Sequence, residues 1–353
     1  MKFSQSLVIH FDKGQMKTVV IRENRRVELI DEEIPKAAEN IVVVKVSTSP
    51  MCTEYYHYRD GTESLCLGHE AAGEVVEVAK PGKVMVGDRV VVMPQYPCGI
   101  CDLCNSGDYI HCENVVDPYK ICSCRSGIAT YSQYIIKQDW LLIPIPDSMS
   151  YDESSMACCG LGASFGAVNS LKIGPSDTVL ITGLGPVGLG AIINCKSLGA
   201  RVIGVARNRF RSGLAVELGA ETVINPEDPD CIKLIRELTS GIGADKSIEC
   251  SGGEIYQRIC IDGTRRKGQL AFVGESKALE IMVSNDLIRK GLTITGSWHW
   301  NLNDTKKMMD TIASSRNLIT KLITHKFPLT DVENAFKLQI SGNCGKVLLH
   351  PWE

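Results

Sequence analysis

Nowhere in the 353 residues does an apolar run approach 18 positions, which excludes an ordinary membrane-spanning helix. Neither sign of charge dominates: 38 Lys and Arg stand against 41 Asp and Glu, a formal net charge of -3. That balance gives no electrostatic case for nucleic acid or an anionic membrane as partner. A secretory leader is also missing, because the opening MKFSQSLVIHFDKGQ breaks its apolar stretch at His10 and Asp12 and offers no small-residue cleavage pattern. Repeats and low-complexity tracts are absent. What remains is an ordinary globular balance, 44% hydrophobic and 22% charged, in a chain long enough for two domains with a sizeable core. A soluble, cytoplasmic protein is expected.

Cysteine is the residue in excess, with 15 in the chain. An odd number in a long chain without a leader argues against a disulfide framework and for thiolates on a metal. Four of them, Cys98, Cys101, Cys104 and Cys112, fall in one loop. Four thiolates close a tetrahedral zinc site with no open position, so this spacing predicts a structural zinc. A reduced thiol-rich loop is the plain alternative, and an iron–sulfur cluster lacks its second cluster signature.

Short β-branched runs at 41–46, 73–78, 89–93 and 134–136, punctuated by Gly, Pro and Asp, make the first half β-rich. From Thr178 onward, strand-like runs (TVLIT, RVIGV, TVIN, KSIEC, QLAFV, LTITG) alternate with helical stretches, the βαβ pattern of a doubly wound parallel sheet. The expected class is α/β. A helix from about Asp304 to Ser314 and the segments VENAFKLQ and GKVLLHP follow.

Gly183-Leu184-Gly185-Pro186-Val187-Gly188 is a G-x-G-x-x-G placed between the strand TVLIT and a helix, the context that makes it a dinucleotide fingerprint. Gly183 permits the tight turn, Gly185 admits the pyrophosphate to the backbone, and Gly188 allows close helix–strand packing. The next strand ends in Ala206-Arg207-Asn208-Arg209, with Arg211 close by, where an acidic residue would bind the 2′-hydroxyl of NAD. With no carboxylate there and Arg207 and Arg209 at hand, NADP(H) is expected over NAD(H). The alternative is a solvated loop that is indifferent to the cofactor.

Leu67-Gly68-His69-Glu70-Ala71-Ala72-Gly73, the Val86-Gly87-Asp88-Arg89-Val90 turn, the four-cysteine lobe and the glycine fingerprint occur here in one order. With them the chain resembles the zinc-dependent medium-chain dehydrogenase/reductase superfamily, the alcohol and polyol dehydrogenases, over nearly its whole length. The resemblance implies a GroES-like β-rich catalytic domain, residues 1–159 with 299–353, and a Rossmann domain, residues 160–298, with the active site between them. It implies a second, catalytic zinc on Cys52, His69 and Cys159, with Glu70 beside it as supporting or exchangeable ligand. Two thiolates and one imidazole leave a fourth position for water or substrate. Cys158 competes with Cys159 for the assignment, and Cys159, followed by Gly160, fits better. Cys66 reads as core. Homodimers or homotetramers are implied as well.

The run Cys52-Thr53-Glu54-Tyr55-Tyr56-His57 departs from the resemblance. Relatives carry Ser or Thr two places after the cysteine, where Glu54 stands, while His57 keeps the position of an outer relay residue. Either Thr53 takes the proton through a local shift, or Glu54 takes it as a base; Glu54 facing a polar substrate is the third reading. The expected reaction is hydride transfer between a secondary alcohol, most simply a polyol, sugar or amino sugar, and the nicotinamide, with zinc polarising the oxygen. Tyr55, Tyr56, Trp298, His299 and Trp300 suggest a polar, aromatic-walled pocket, with packing between domains as the other use of the tryptophans. Two rivals stand beside this: a zinc-free NADPH quinone or enoyl reductase, and a non-enzymatic NADPH-binding zinc protein.

Overall fold

The computed structural model describes residues 14–353. The expectation about a leader, with His10 and Asp12, lies outside them.

The chain enters through a hairpin, β1 (Gln15–Arg22) and β2 (Arg26–Glu33), paired from Gln15↔Glu33 to Arg22↔Arg26. Its turn is made by Asn24 and Arg25 at φ 59° and 63°. Left-handed backbone most often signals glycine; Asn24 tolerates it but Arg25 does not advertise it, and the hairpin is absent from the expectations above.

β3 (Ile41–Pro50), β4 (Ala71–Glu77), β5 (Arg89–Val92), β6 (Tyr134–Gln138) and β7 (Leu142–Pro144) follow. The first four fall on the β-branched runs. Six parallel strands come next: β8 (Thr178–Thr182), β9 (Arg201–Val205), β10 (Thr222–Ile224), β11 (Ala244–Glu249), β12 (Thr264–Phe272) and β13 (Thr293–Gly296). Their spatial order, β10-β9-β8-β11-β12-β13, is that of a dinucleotide-binding sheet, with its ligand crevice at the carboxyl ends where the order reverses. Finally β14 (Ile323–Pro328) and β15 (Lys346–His350) return to the antiparallel unit, giving the order β14-β15-β3-β4-β5-β7 with β6 paired to β3.

Val179, Leu180 and Ile181 of β8 are all fully buried, as expected for a strand covered on both faces. The helix after it, Pro186–Ser197, starts with Gly185 as N-cap and Pro186 in its first turn, where a missing N–H costs nothing. Every residue from Gly188 to Cys195 is buried. A helix apolar all round must be enclosed, and this one lies between the parallel sheet and the helices Gly162–Ser170, Thr305–Ser314 and Arg316–Leu322. A Cβ on Gly190 would sit 1.9 Å from the Gly160 carbonyl oxygen, so only glycine lets this helix rest on the turn that carries Cys159. One apolar core, including Ala72, Tyr109, Cys158, Ile181 and Ile192, runs through both units. Cys195, Cys231, Cys260 and Cys344 are buried as well, whereas Cys66 is exposed and not the core residue expected. It lies in the loop between the Ser64–Ile21 bridge and β4, outside the sheets.

Candidate active site

In the lobe, the short helix Asp102–Asn105 and the turn Tyr109–His111 fold the four cysteines together. The Sγ–Sγ separations are 3.9 Å for Cys98–Cys104, 3.5 Å for Cys101–Cys104, 3.8 Å for Cys101–Cys112 and 3.6 Å for Cys98–Cys112. Sulfurs about 2.3 Å from a tetrahedral zinc lie roughly 3.8 Å apart, so the cage has the size that zinc requires, and all four thiols are free. The backbone N–H of Ile100 holds the Cys98 thiol down at about 6, while burial pushes Cys104 up to about 12. The lobe is tied to the segment after β13: Asn301 Nδ2 donates to Ser106 O (2.9 Å) and Asp108 Oδ1 (2.8 Å), Asn303 Nδ2 donates to Ser106 O, and Leu302 N to Gly107 O.

The second cluster draws on three distant segments. Cys52 follows β3, His69 and Glu70 precede β4, and Cys159 lies in the turn before the helix Gly162–Ser170. One ligand atom from each of the four lies within 4.8 Å of the others. His69 Nε2 is 3.3 Å from Cys159 Sγ, whereas the Cys158 thiol is buried and points to Val92 O. A hydrogen bond from the Cys159 thiol and the neighbouring His69 hold Cys52 well below the usual thiol range; its partner Cys159 is raised in turn. Two thiols, one imidazole and a carboxylate within this span are a donor set that fits zinc.

Glu70 is fully buried, with Oε1 2.7 Å from Lys346 Nζ and Oε2 accepting from Cys159 N at 3.0 Å. Burial raises its carboxyl to about 7 against the pull of Lys346. Lys346, 1% exposed, is raised by Glu70 and the two thiols despite its own burial. Nothing in the sequence singles this lysine out.

Glu54 does not line the cleft. It is 8% exposed; Oε1 meets His69 Nδ1 at 2.6 Å, and Oε2 accepts from Tyr131 Oη (2.9 Å) and Cys52 N (3.2 Å). Burial raises its carboxyl, but the hydrogen bond and charge of His69 outweigh this and hold it at about 2. A carboxylate on the far nitrogen of a ligand histidine fixes its tautomer and ring plane. Thr53 is exposed and lines the cleft with Tyr55 and Tyr56. His57 is exposed on the helix Tyr55–Asp60, its Nδ1 3.0 Å from Thr62 Oγ1, and does not line the cleft.

Of the aromatic segment, Trp298 is half-exposed beside His111, while Trp300 is 2% exposed and donates to Ala157 O at 2.8 Å. His299 is buried and stacks on Trp300, and burial pushes its imidazole down to about 3.

The nucleotide cleft is a cavity of about 330 Å³ between the two units, lined by Gly183, Gly185, Pro186, Val187, Ala206 and Arg207 on the parallel side. Gly183 has φ +80° and its Cβ would strike Ser251 at 2.4 Å; a Cβ on Gly188 would lie 2.1 Å from Gly183 O. Gly185 meets nothing closer than Arg211 Nη1 at 4.0 Å, leaving its backbone open to a ligand. Arg209 is exposed at the start of the helix Arg209–Glu217 and does not line the cleft; two positions along that helix, Arg211 does. A carboxylate is also present after all: Glu227, from the loop after β10, reaches Arg207 Nη1 at 3.3 Å.

These features agree with comparison to known proteins. The alcohol dehydrogenase GroES-like domain matches residues 38–147, and the zinc-binding dehydrogenase domain matches residues 186–314. D-Arabitol-phosphate dehydrogenase of Enterococcus avium is 31% identical over 340 residues, 91% of this chain and 92% of that one. Sorbitol dehydrogenase of Halalkalibacterium halodurans is 31% identical, covering 90% and 93%. The crystal structure of 2R,3R-butanediol dehydrogenase from Bacillus subtilis superposes with a TM-score of 0.81 at 26% identity, over 95% of this chain and 99% of that one. With its glycine turn, its two donor clusters and this likeness along nearly all its length, the chain belongs to the zinc-dependent medium-chain dehydrogenase/reductase superfamily, as an oxidoreductase of the zinc-type alcohol dehydrogenases.

Proposed function

We propose that the protein oxidises a secondary hydroxyl of a polyol or sugar, reversibly, with NADP(H), and carries two zinc ions, one at Cys52, His69 and Cys159 and one in the Cys98–Cys112 lobe. The observation that carries this reading is the gathering of the Cys52, His69, Glu70 and Cys159 ligand atoms within 4.8 Å, with Cys52 also lining the cleft that the Gly183–Val187 turn borders. The names of the relatives, which act on arabitol phosphate, sorbitol and butanediol, favour a substrate with several hydroxyls. Arg207, just after β9, and Arg211, in the helix that follows, favour a 2′-phosphate, with Glu227 as a competitor for Arg207.

When bound, zinc polarises the alcohol oxygen and the nicotinamide accepts the hydride. The chain's own residues do the rest. Glu54 holds the His69 ring in place through Nδ1. Glu70 and Lys346 form a buried pair behind the thiols, and Glu70 also accepts from the Cys159 amide, which fixes the turn. Thr53, exposed at the cleft, relays the proton, its hydroxyl accepting from the substrate hydroxyl as it gives its own proton to solvent, with the reverse order in carbonyl reduction; both Glu54 oxygens are already engaged. Cysteines used as thiolates suit the reducing cytoplasm, and all 15 are free. A homodimer or homotetramer completes the reading, on the resemblance to the family.

The test is zinc per chain by elemental analysis on the sample used for NADP+ and NAD+ titration. Two zincs with tighter NADP+ binding are expected. A single zinc, lost only when lobe cysteines are replaced, would overturn the catalytic site.

A further inference from the structure

The nucleotide cleft lies at the carboxyl ends of the parallel strands, and a second cavity, of about 620 Å³, opens at their amino ends. β11 separates the two by about 20 Å. Arg236, Arg265, Arg266 and Lys290 line this second cavity, with Asp262 as the one carboxylate among the described residues there.

The four cations come from three elements. Arg236 stands in the last turn of the helix Cys231–Leu238, and Lys290 follows the helical segment Val283–Arg289. Arg265 and Arg266 belong to the start of β12, where the ladder is irregular. Ala244 pairs with Thr264 and Lys246 with Gln269, so β11 advances two residues while β12 advances five. The stretch Arg265–Gly268 leaves the ladder there, with Lys267 in left-handed backbone at φ +58°. A bulge re-aims side chains, and this one presents both arginines to the cavity.

The acids nearby are already engaged. Asp262 and Asp286 share the guanidinium of Arg258, at 2.6 Å and 2.9 Å, and Asp245 Oδ1 accepts from Arg265 Nε at 2.7 Å. The Arg236 side chain has no hydrogen bond or ion pair among the described residues. Arg266 donates through Nη1 to the Arg289 carbonyl at 2.6 Å, which leaves most of its fork open. Lys290 Nζ donates to Ile261 O and Asp262 O at the end of the helix Glu254–Gly263, and keeps a third N–H. Burial lowers its ammonium below the usual value, and the charges of Arg258 and Arg236 add to this against the pull of Asp262 and Asp286. A merely solvated face would spread its charges apart, whereas Arg236 is close enough to Lys290 to disfavour it. The surplus is local, since the whole chain carries a net charge of -3, and a concave site of this size suits a small molecule better than a nucleic acid strand. Arginine forks beside an ammonium match the oxygens of a phosphate group.

We propose that this cavity is a second phosphate-binding site, remote from the cleft, which takes a small phosphate-bearing ligand through Arg236, Arg266 and Lys290. It stands independently of the dehydrogenase reading.

The experiment titrates inorganic phosphate and ADP calorimetrically, at low salt, into the zinc-loaded protein with its cleft saturated by whichever of NADP+ and NAD+ binds more tightly. Wild type is compared with Arg236→Gln, Arg266→Gln and, as a control in the cleft, Arg207→Ala. One saturable site per chain is expected, with Kd raised about 10-fold in each of the first two variants and unchanged in the third. Arg236 and Arg266 are both exposed, so their replacement leaves the fold intact, and Tm verifies this. Tighter binding of ADP than of phosphate assigns a diphosphate ester to the site, and equal affinities assign the free anion; either supports it. Absence of saturable binding with both probes overturns the inference, as does binding that Arg207→Ala weakens while Arg236→Gln and Arg266→Gln leave it unchanged.

Discussion

Glu54 Oε1 and His69 Nδ1 are joined by a hydrogen bond of 2.6 Å, so a carboxylate from the segment after β3 fixes the ring of a histidine from the segment before β4. Glu54→Ala removes that restraint and leaves Tyr131 Oη without its acceptor. Zinc affinity at this centre should fall roughly 10- to 100-fold. Competition with a chromogenic chelator measures it, and retention of wild-type affinity would show that Glu54 has no part in holding the ligand.

Gly190 and Gly160 test the packing of the helix Pro186–Ser197 on the turn that carries Cys159. Alanine is the better helix former by about 1 kcal/mol. At position 190, however, its Cβ would lie 1.9 Å from the Gly160 carbonyl, and overpacking costs about 1–3 kcal/mol. Gly190→Ala should therefore destabilise in urea unfolding. Gly213→Ala, in the helix Arg209–Glu217 with nothing within 4 Å of its Cβ, should stabilise by about 0.5–1 kcal/mol. Equal shifts in the two variants would contradict the packing argument.

The proposed preference for NADP(H) rests on Arg207, whose neighbour is Glu227. Arg207→Ala should weaken NADP+ binding about 10-fold and NAD+ much less, through loss of a charge-assisted contact to the 2′-phosphate. Glu227→Gln should strengthen NADP+ only about 2- to 3-fold, because an exposed ion pair is weak. Nucleotide fluorescence titration reads both; a uniform change for the two cofactors would remove Arg207 from the 2′-phosphate site.

His350 couples the last strand to the helix Tyr151–Ser155, with Nε2 3.0 Å from Asp152 Oδ1 and Nδ1 2.8 Å from Glu353 Oε1. The hydrogen bond to Asp152 raises its pKa against partial burial. A raised histidine stabilises the fold fully below its unfolded value of about 6.5, and that contribution is lost as pH rises through the higher folded value. The Tm advantage of wild type over His350→Gln should therefore be largest near pH 6 and shrink toward alkaline pH. A gap that widens with pH would refute the pairing.

Local chemistry was legible without coordinates. The glycine turn at 183–188, the four thiols at 98–112 and the β-branched runs each lie within a few consecutive residues, so spacing alone determines what those residues can form. Even there the rotation of a helix escaped, and it is Arg211 rather than Arg209 that lines the cleft. The hairpin at Asn24 and Arg25 escaped because residues other than glycine occupy its left-handed positions. The candidate metal centre depends on contacts that no periodicity records. Lys346 meets Glu70 across 276 positions, Tyr131 meets Glu54 across 77, and Cys159 meets His69 across 90. Residue type and short-range order decided which chemistry was present; burial and long-range packing decided which atoms perform it, because hydrogen-bond satisfaction and charge pairing are properties of the enclosed space and not of the chain's order.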